Sequence, residues 1–145
     1  MILPDVNVLI YAYADEIPEH TRYREWLNDT LQGPEPMGLS DLVLSAVVRI
    51  ATSARTLQPP ATPRAALDFV ASLRESPATV RVAPGPRRWK IFAGLVERAG
   101  CRGGLVLDAY HAALGIEHGC EWITTDRDYA RFPALRWRHP REERQ

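Results

Sequence analysis

The sequence has no long apolar run, little cysteine and almost no lysine. No stretch of about 18 apolar residues occurs, so we expect no membrane-spanning helix. The opening segment carries an acid at Asp5 and no basic region, so we expect no signal peptide and a cytoplasmic protein. The two cysteines, Cys101 and Cys120, have no CxxC or metal-binding spacing, which is typical of free thiols in the cytosol.

Charge and composition are those of a globular protein. The 145 residues include 18 basic and 18 acidic side chains, and 46% of them are hydrophobic, which excludes a disordered or fibrous chain. Lys90 is the only lysine, so the other basic residues are arginine. Arginine suits planar partners such as phosphate, although a codon bias toward arginine explains the same composition equally well. The length predicts a single domain over residues 1–145.

Apolar periodicity and turn residues divide the chain into alternating strands and helices. Strands are predicted at residues 2–4, 37–39, 79–82, 121–125 and 135–138. Helices are predicted after Asp5 and over residues 18–32, 42–52, 64–74, 87–99 and 105–118. The helix over 42–52 has little amphipathic contrast, so we expect it to be buried on most sides. The alternation predicts an α/β fold of three layers, α/β/α, with a central parallel sheet.

Acidic residues follow two of the predicted strands. Asp5 comes directly after the first strand, and Asp126 and Asp128 come directly after a later one. Asp108 lies in the first turns of a helix that follows two glycines. Each acid alone also fits a helix cap or a turn. Because ligands of α/β sheets bind at the carboxyl ends of the strands, these acids can meet at one sheet edge.

Converging carboxylates favour a divalent metal ion. Without a cation the acids would repel each other, and some would have to stay protonated. Oxygen ligands select Mg²⁺ or Mn²⁺ rather than zinc, and such an ion with open water positions suits hydrolysis of a phosphodiester. The sequence has no HExxH, GxSxG or Walker motif, and His111 and His118 are interpreted as ordinary core or surface histidines.

These motifs resemble those of the PIN-domain ribonucleases and, within them, the VapC toxins of bacterial toxin–antitoxin pairs. The resemblance covers nearly the whole chain and rests on LPDVNVLI over residues 3–10, DAYHAA over 108–113 with EHG over 117–119, and TTDRDY over 124–129. It implies a PIN-like α/β/α domain with an acidic pocket that binds Mg²⁺ or Mn²⁺ and cleaves RNA. It also implies a homodimer that a cognate VapB-like antitoxin holds inactive.

The resemblance also assigns roles to individual residues. Asp5 and Asp108 match the principal metal ligands, and Asp126 matches a further catalytic acid that completes the pocket, often through a water molecule. Two polar residues that orient the carboxylates and one more variable acid complete the set: Asn7, Thr124 and Asp128.

One departure from the family pattern concerns a glutamate. Counting from Ser40 to the helix position where the family carries this glutamate reaches Ala46. The nearest acid is Asp41, which either substitutes for the glutamate or caps the helix, and the local sequence favours the cap. The missing glutamate affects the expected catalytic rate more than metal binding.

RNA binding requires cations that contact phosphates. Trp89 can stack on a base, as in proteins that bind single-stranded RNA, but we interpret it as a core residue. Apolar surface on the first helices is a candidate dimer face. The candidate phosphate-binding residues are Arg87, Arg88, Arg102 and Arg127.

Two alternative functions remain open. A phosphatase of the haloacid-dehalogenase type also opens with a strand and an aspartate, but it needs a second acid where this chain has Asn7. The same fold can also serve as a catalytically weak PIN-like module that binds RNA or an antitoxin, and Ala46 is the main support for that alternative. RNA cleavage assayed with Mg²⁺ and with EDTA separates the three functions.

Overall fold

A five-stranded parallel sheet forms the centre of the computed structural model, which describes residues 1–142. The strands are β1 (Ile2–Pro4), β2 (Met37–Leu39), β3 (Thr79–Arg81), β4 (Glu121–Ile123) and β5 (Trp137–Arg138). They lie in the order β3-β2-β1-β4-β5, and each neighbouring pair is parallel. The central strand, β1, therefore carries Asp5 at its carboxyl end.

Helices cover the sheet as the sequence predicts. They are α1 (Val6–Tyr13), α2 (His20–Gln32), α3 (Asp41–Ala51), α4 (Pro63–Glu75), α5 (Arg88–Ala99) and α6 (Gly104–His118), with a 3-10 turn over Arg127–Arg131. α1 packs against α2 and α3, α3 packs against α4, and α5 packs against α6. The predicted fold class, a three-layer α/β/α domain with a central parallel sheet, is confirmed. Among residues 1–142, the helices lack the length and apolar character that a membrane span requires.

Several element boundaries differ from the prediction by a few residues. α2 begins at His20 rather than at Pro18, because the preceding residues form a turn. β4 ends at Ile123, since the Thr124 side chain turns to Asp5. Pro4 fits into the central strand because it is the last residue of β1, where its missing N–H ends the ladder.

The helix α3 buries only one face, so the expectation of burial on most sides is wrong. The buried residues are Val43, Leu44, Val47 and Ala51. On the other side, Asp41, Ser45 and Arg49 recur every fourth residue and form an exposed polar stripe. Three polar residues at helical spacing therefore set the exposed face despite the apolar composition of the segment.

The histidines of α6 have the ordinary environments that the sequence predicts. His111 is 4% exposed and stacks on the core residue Trp122, with ring centroids 5.3 Å apart. Its Nδ1 atom has no hydrogen-bond partner, and burial lowers the pKa of His111 to about 4. His118 is exposed at the end of the helix, where its Nε2 atom lies 2.7 Å from the carbonyl oxygen of Ala83. Both cysteines are buried free thiols, as predicted.

Candidate active site

Asp5 lies at the junction of β1 and α1, and the start of the helix determines its orientation. Its Oδ1 atom accepts a 2.7 Å hydrogen bond from the backbone N–H of Val6, so Asp5 is the N-cap of α1. Its Oδ2 atom accepts a 2.6 Å hydrogen bond from the Thr124 hydroxyl at the end of β4. The side chain is only 7% exposed, so these contacts fix a buried carboxylate between two neighbouring strands.

Thr124 and Asn7 connect this carboxylate to the loop after β4. The Asn7 amide donates to Asp5 Oδ2 and to Thr124 Oγ1, at 3.3 Å in each case. Thr124 Oγ1 also accepts a 3.0 Å hydrogen bond from the backbone N–H of Asp126. The two residues predicted to orient carboxylates therefore contact Asp5 directly, and their contribution to activity stays a prediction.

The acids after β4 have two different environments. Asp126 Oδ1 accepts a 2.8 Å hydrogen bond from the backbone N–H of Asp128, so Asp126 caps the 3-10 turn. Asp128 is exposed and forms a surface ion pair with Arg131 at 3.8 Å. The local turn geometry that the sequence allowed for Asp126 is therefore present, and it leaves Asp126 partly exposed beside Thr124.

Charge repulsion connects three of the predicted acids. The pKa of Asp5 is raised to about 6, mainly by burial. The charges of Asp108 and Asp126 raise this pKa further, whereas the hydrogen bonds from Thr124 and Val6 lower it. These influences place the carboxylates of Asp5, Asp108 and Asp126 in one electrostatic environment, as the sequence predicts for this sheet edge.

Asp108 extends this environment onto α6. Burial raises its pKa, and the charges of Asp126 and Asp128 act in the same direction. The Tyr129 hydroxyl lies 3.5 Å from Asp108 Oδ1 and is oriented to donate a long hydrogen bond. Tyr129 is a site residue that was not predicted, although its place directly after the two acids of the 124–129 motif points to it. Its ring is fully buried and packs against the ring of Trp122 on β4, with the ring centroids 5.4 Å apart.

The carboxylates at this sheet edge are the type of ligand that a hard divalent cation prefers. Within residues 1–142, no three His, Cys, Asp or Glu side chains are grouped closely enough to hold one ion together. Mg²⁺ does not require such a group, because it usually binds one or two carboxylates and keeps several water molecules. Asp5 and Asp108 supply oxygen donors of this kind, and a cation would offset the charge repulsion that, after burial, raises both of their pKa values.

Asp41 does not act as the predicted helix cap. Its Oδ1 atom pairs with Arg74 at 3.2 Å and its Oδ2 atom with Arg81 at 3.0 Å, so both carboxylate oxygens bind arginines. Ala46 lies half-buried on α3 and supplies no acid. The prediction of a cap is wrong because two arginines from neighbouring elements bind this carboxylate instead. Sequence spacing does not reveal these partners.

The four candidate phosphate-binding arginines lie in different settings. Arg87 donates from its side chain to the backbone carbonyl of Glu117 at 2.8 Å, and Arg88 is half-buried over the Tyr110 ring. Arg102 and Arg127 are exposed, the first just before α6 and the second between Asp126 and Asp128.

The expectation that Trp89 belongs to the core is wrong. Trp89 is 66% exposed rather than part of the core, since it occupies the outer side of the first turn of α5. The candidate dimer face on the first helices stays a prediction: α1 and α2 pack on each other through the rings of Tyr11 and Tyr23, while Tyr13, Trp26 and Leu31 are partly exposed. In the described part of the chain, the exposed large apolar residues are Met1, Leu42, Leu67, Val80, Trp89 and Leu107.

Comparison with known proteins identifies relatives over nearly the whole chain. The family model for the PIN domain matches residues 2–135. The chain is 39% identical over 140 residues to ribonuclease VapC43 of Mycobacterium tuberculosis (strain H37Rv), which covers 97% of this chain and 95% of that protein.

Solved structures share the fold at lower sequence identity. VapBC2 from Rickettsia felis, bound to a DNA fragment from its promoter, matches with a TM-score of 0.68 and 18% identity, over 96% of this chain and 98% of that chain. VapC20 of Mycobacterium tuberculosis, a sarcin-ricin loop cleaving toxin, matches with a TM-score of 0.63 and 16% identity, over 90% and 93% of the two chains. The chain therefore belongs to the PIN-domain family and, within it, to the VapC ribonucleases.

Proposed function

We propose that this protein is a metal-dependent endoribonuclease and the toxin of a type II toxin–antitoxin pair. The observation that carries the proposal is the buried Asp5 carboxylate at the carboxyl end of the central strand, with the charges of Asp108 and Asp126 acting on it. The relationship to ribonuclease VapC43 supports RNA as the substrate. PIN-domain ribonucleases are generally dependent on a divalent metal, and we propose Mg²⁺, with Mn²⁺ as a substitute.

Asp5 and Asp108 are the proposed metal ligands, and Asp126 completes the acidic pocket. When bound, the ion would lower the pKa of the attacking water and neutralise charge that develops on the phosphate. Thr124 and Asn7 hold Asp5 in one orientation through their hydrogen bonds, which keeps the carboxylate in place before substrate arrives. Tyr129 does the same for Asp108 from the buried side of the loop.

The exposed arginines beside the acids are proposed to bind the RNA backbone. Arg127 lies in the loop between two acids, and Arg102 precedes the helix that carries Asp108. Exposed guanidinium groups at these positions can contact phosphates on either side of the scissile bond. Arg87 and Arg88 are less available to RNA phosphates, because Arg87 donates to the Glu117 carbonyl and Arg88 packs over the Tyr110 ring.

The proposed partners follow from the same family relationship. A cognate VapB-like antitoxin would bind the protein, which is supported by the shared fold with VapBC2. We also propose a homodimer that acts in the cytoplasm, with exposed apolar residues such as Met1 and Val80 available for a dimer face. The phosphatase alternative is wrong, because the chain belongs to the PIN-domain family and Asn7 stands hydrogen-bonded to Asp5 where the second acid would be.

RNA cleavage by the purified protein tests the proposal. Wild type is expected to cleave RNA with Mg²⁺ and to lose this activity in EDTA, and Asp5→Asn is expected to be inactive under both conditions. Asp68→Asn, which removes an exposed acid on α4, is the matched control and is expected to retain full activity. Wild type that binds RNA without cleaving it would favour the catalytically weak binding module instead.

A further inference from the structure

A small pocket lies beside the acids at the same edge of the sheet. Its volume is about 180 Å³, and we call it the β2–β3 pocket after the strands whose carboxyl ends it adjoins. Its lining includes Ser40 directly after β2, Leu42 on α3, Val82 and Pro84 after β3, and Tyr110 on α6. Because β2 pairs with β1, Ser40 at the end of β2 lies one strand away from Asp5 at the end of β1, so the pocket is close to the proposed catalytic centre.

One wall of the pocket offers a hydrogen-bonding group that the protein does not use. Ser40 is only 4% exposed, but its hydroxyl oxygen is still reached by solvent, and it makes no capping bond to α3 and no other hydrogen bond to residues 1–142. A pocket-lining hydroxyl that no protein group uses is free to hydrogen-bond a ligand in place of water. Asp41 adds no net negative charge to the pocket, since Arg74 and Arg81 pair with it.

The opposite wall is an aromatic ring that is held rigidly. The Arg88 guanidinium lies 4.1 Å from the centroid of the Tyr110 ring, and Phe92 packs against the same ring edge-on at 5.9 Å. The turn before Arg88 is fixed by Glu117, whose carboxylate accepts hydrogen bonds from the backbone N–H groups of Gly85 at 2.8 Å and Arg87 at 2.9 Å. Tyr110 therefore presents a fixed aromatic surface, and the cation beside it makes the surroundings favourable for RNA phosphates.

We propose that the β2–β3 pocket binds one unpaired nucleobase of the RNA substrate, with the base against Tyr110 and its polar edge hydrogen-bonded to Ser40. Proteins that bind single-stranded RNA use this combination of an aromatic face and a buried polar group. The pocket has room for a single heterocyclic base and is too small for a paired duplex. The base would belong to a nucleotide near the scissile phosphate, because the pocket lies one strand away from Asp5 on the same edge of the sheet. This inference rests on the proposed ribonuclease function.

Binding of RNA with and without bases tests the inference. The protein carries Asp5→Asn so that it does not cleave, and the buffer contains EDTA. Fluorescence anisotropy measures the affinity for a labelled adenosine oligoribonucleotide and for a sugar-phosphate backbone of the same length that has no bases. The base-bearing RNA is expected to bind about tenfold more tightly, which corresponds to stacking of one base.

Substitutions in the pocket separate a base site from a general effect on the fold. Tyr110→Leu is expected to weaken binding of the base-bearing RNA by about tenfold and to leave the backbone affinity unchanged, whereas Tyr110→Phe is expected to retain both affinities. Leu42→Ala changes an exposed wall residue that folding tolerates, and it is expected to cause a smaller loss of the same kind. Leu67→Ala, an exposed leucine on α4 outside the pocket, is expected to change neither affinity.

Three results would overturn the base pocket. These are equal affinity for the two probes, an equal loss of both affinities in Tyr110→Leu and Leu42→Ala, or no RNA binding by the Asp5→Asn protein. Cleavage of RNA by wild type with Mg²⁺ is measured separately. Its absence would contradict the proposed function, while base-dependent binding that Tyr110→Leu removes would still support the pocket.

Discussion

Two buried groups make the stability of this fold respond to pH in opposite directions. The pKa of Asp5 is raised to about 6 in the folded protein, so Asp5 takes up a proton on folding at mildly acidic pH. Its contribution to stability is complete below the ordinary pKa of 3.8 and is lost as the pH rises through about 6. The pKa of His111 is lowered to about 4, so its contribution is complete above the ordinary pKa of 6.5 and is lost as the pH falls toward 4.

The magnitudes follow from these pKa values by linkage. Between pH 7 and pH 5, acidification is expected to raise the free energy of unfolding by about 1 kcal/mol through Asp5. Over the same interval, acidification is expected to lower it by about 2 kcal/mol through His111. The two contributions oppose each other and leave a net loss of about 1 kcal/mol in wild type, so a single substitution at either position should reveal the other.

Urea denaturation of metal-free protein at the two pH values measures these contributions. Asp5→Asn keeps a side chain that can cap α1, and His111→Phe keeps an aromatic ring against Trp122. Relative to wild type, acidification should cost Asp5→Asn about 1 kcal/mol more and should leave His111→Phe about 2 kcal/mol more stable. Identical pH dependence in all three proteins would refute the assignment of buried, oppositely shifted groups. Titrating residues that do not interact with Asp5 or His111 are common to the three proteins and cancel in the comparison.

Three further predictions concern the acids and their contacts. Thr124→Val should remove RNA cleavage and lower the free energy of unfolding by about 1–3 kcal/mol, because Asp5 Oδ2 and the Asp126 N–H lose their hydrogen-bond partner. Thr124→Ser keeps the hydroxyl and should retain wild-type stability in urea denaturation and wild-type activity in a cleavage assay. Asp41→Ala should lower the free energy of unfolding by less than about 1 kcal/mol in urea denaturation and leave RNA cleavage intact, because the ion pairs of Asp41 are half-exposed. Loss of cleavage would instead show that Asp41 replaces the family glutamate. Expressed alone in a bacterium, wild type should stop growth, whereas Asp5→Ala should not. Co-expression of the cognate antitoxin should restore growth of the wild-type strain. Equal growth of the two strains at matched soluble expression would contradict the proposed toxin function.

The sequence was sufficient to predict where the strands lie along the chain, that the sheet is parallel, and which edge of the sheet carries the acids. Short β-branched or apolar segments followed by Asp5 and by Asp126 determine where two strands end, and parallel pairing brings those ends together. The helices predicted over 87–99 and 105–118 end where expected, because Gly100 and Gly119 adopt the left-handed conformation that favours glycine at a helix end. Local rules therefore define the elements and the order of the site residues.

Features that depend on contacts between distant elements were not predictable. The partners of Asp41 come from α4 and β3, and no spacing rule connects them to the start of α3. Trp89 was assigned to the core from its apolar character, but the orientation of the first turn of α5 leaves its ring exposed. Tyr129 contacts Asp108 across two elements, which only the folded arrangement reveals.

Titration with Mn²⁺ tests the central claim that Asp5 and Asp108 form a metal site. Calorimetry on wild type, Asp108→Asn and Asp128→Asn compares a proposed ligand with an exposed acid in the neighbouring loop. Wild type should bind one ion, Asp108→Asn should bind it at least about tenfold more weakly, and Asp128→Asn should stay close to wild type. Equal Mn²⁺ affinity in wild type and Asp108→Asn, or no binding by wild type, would contradict the account.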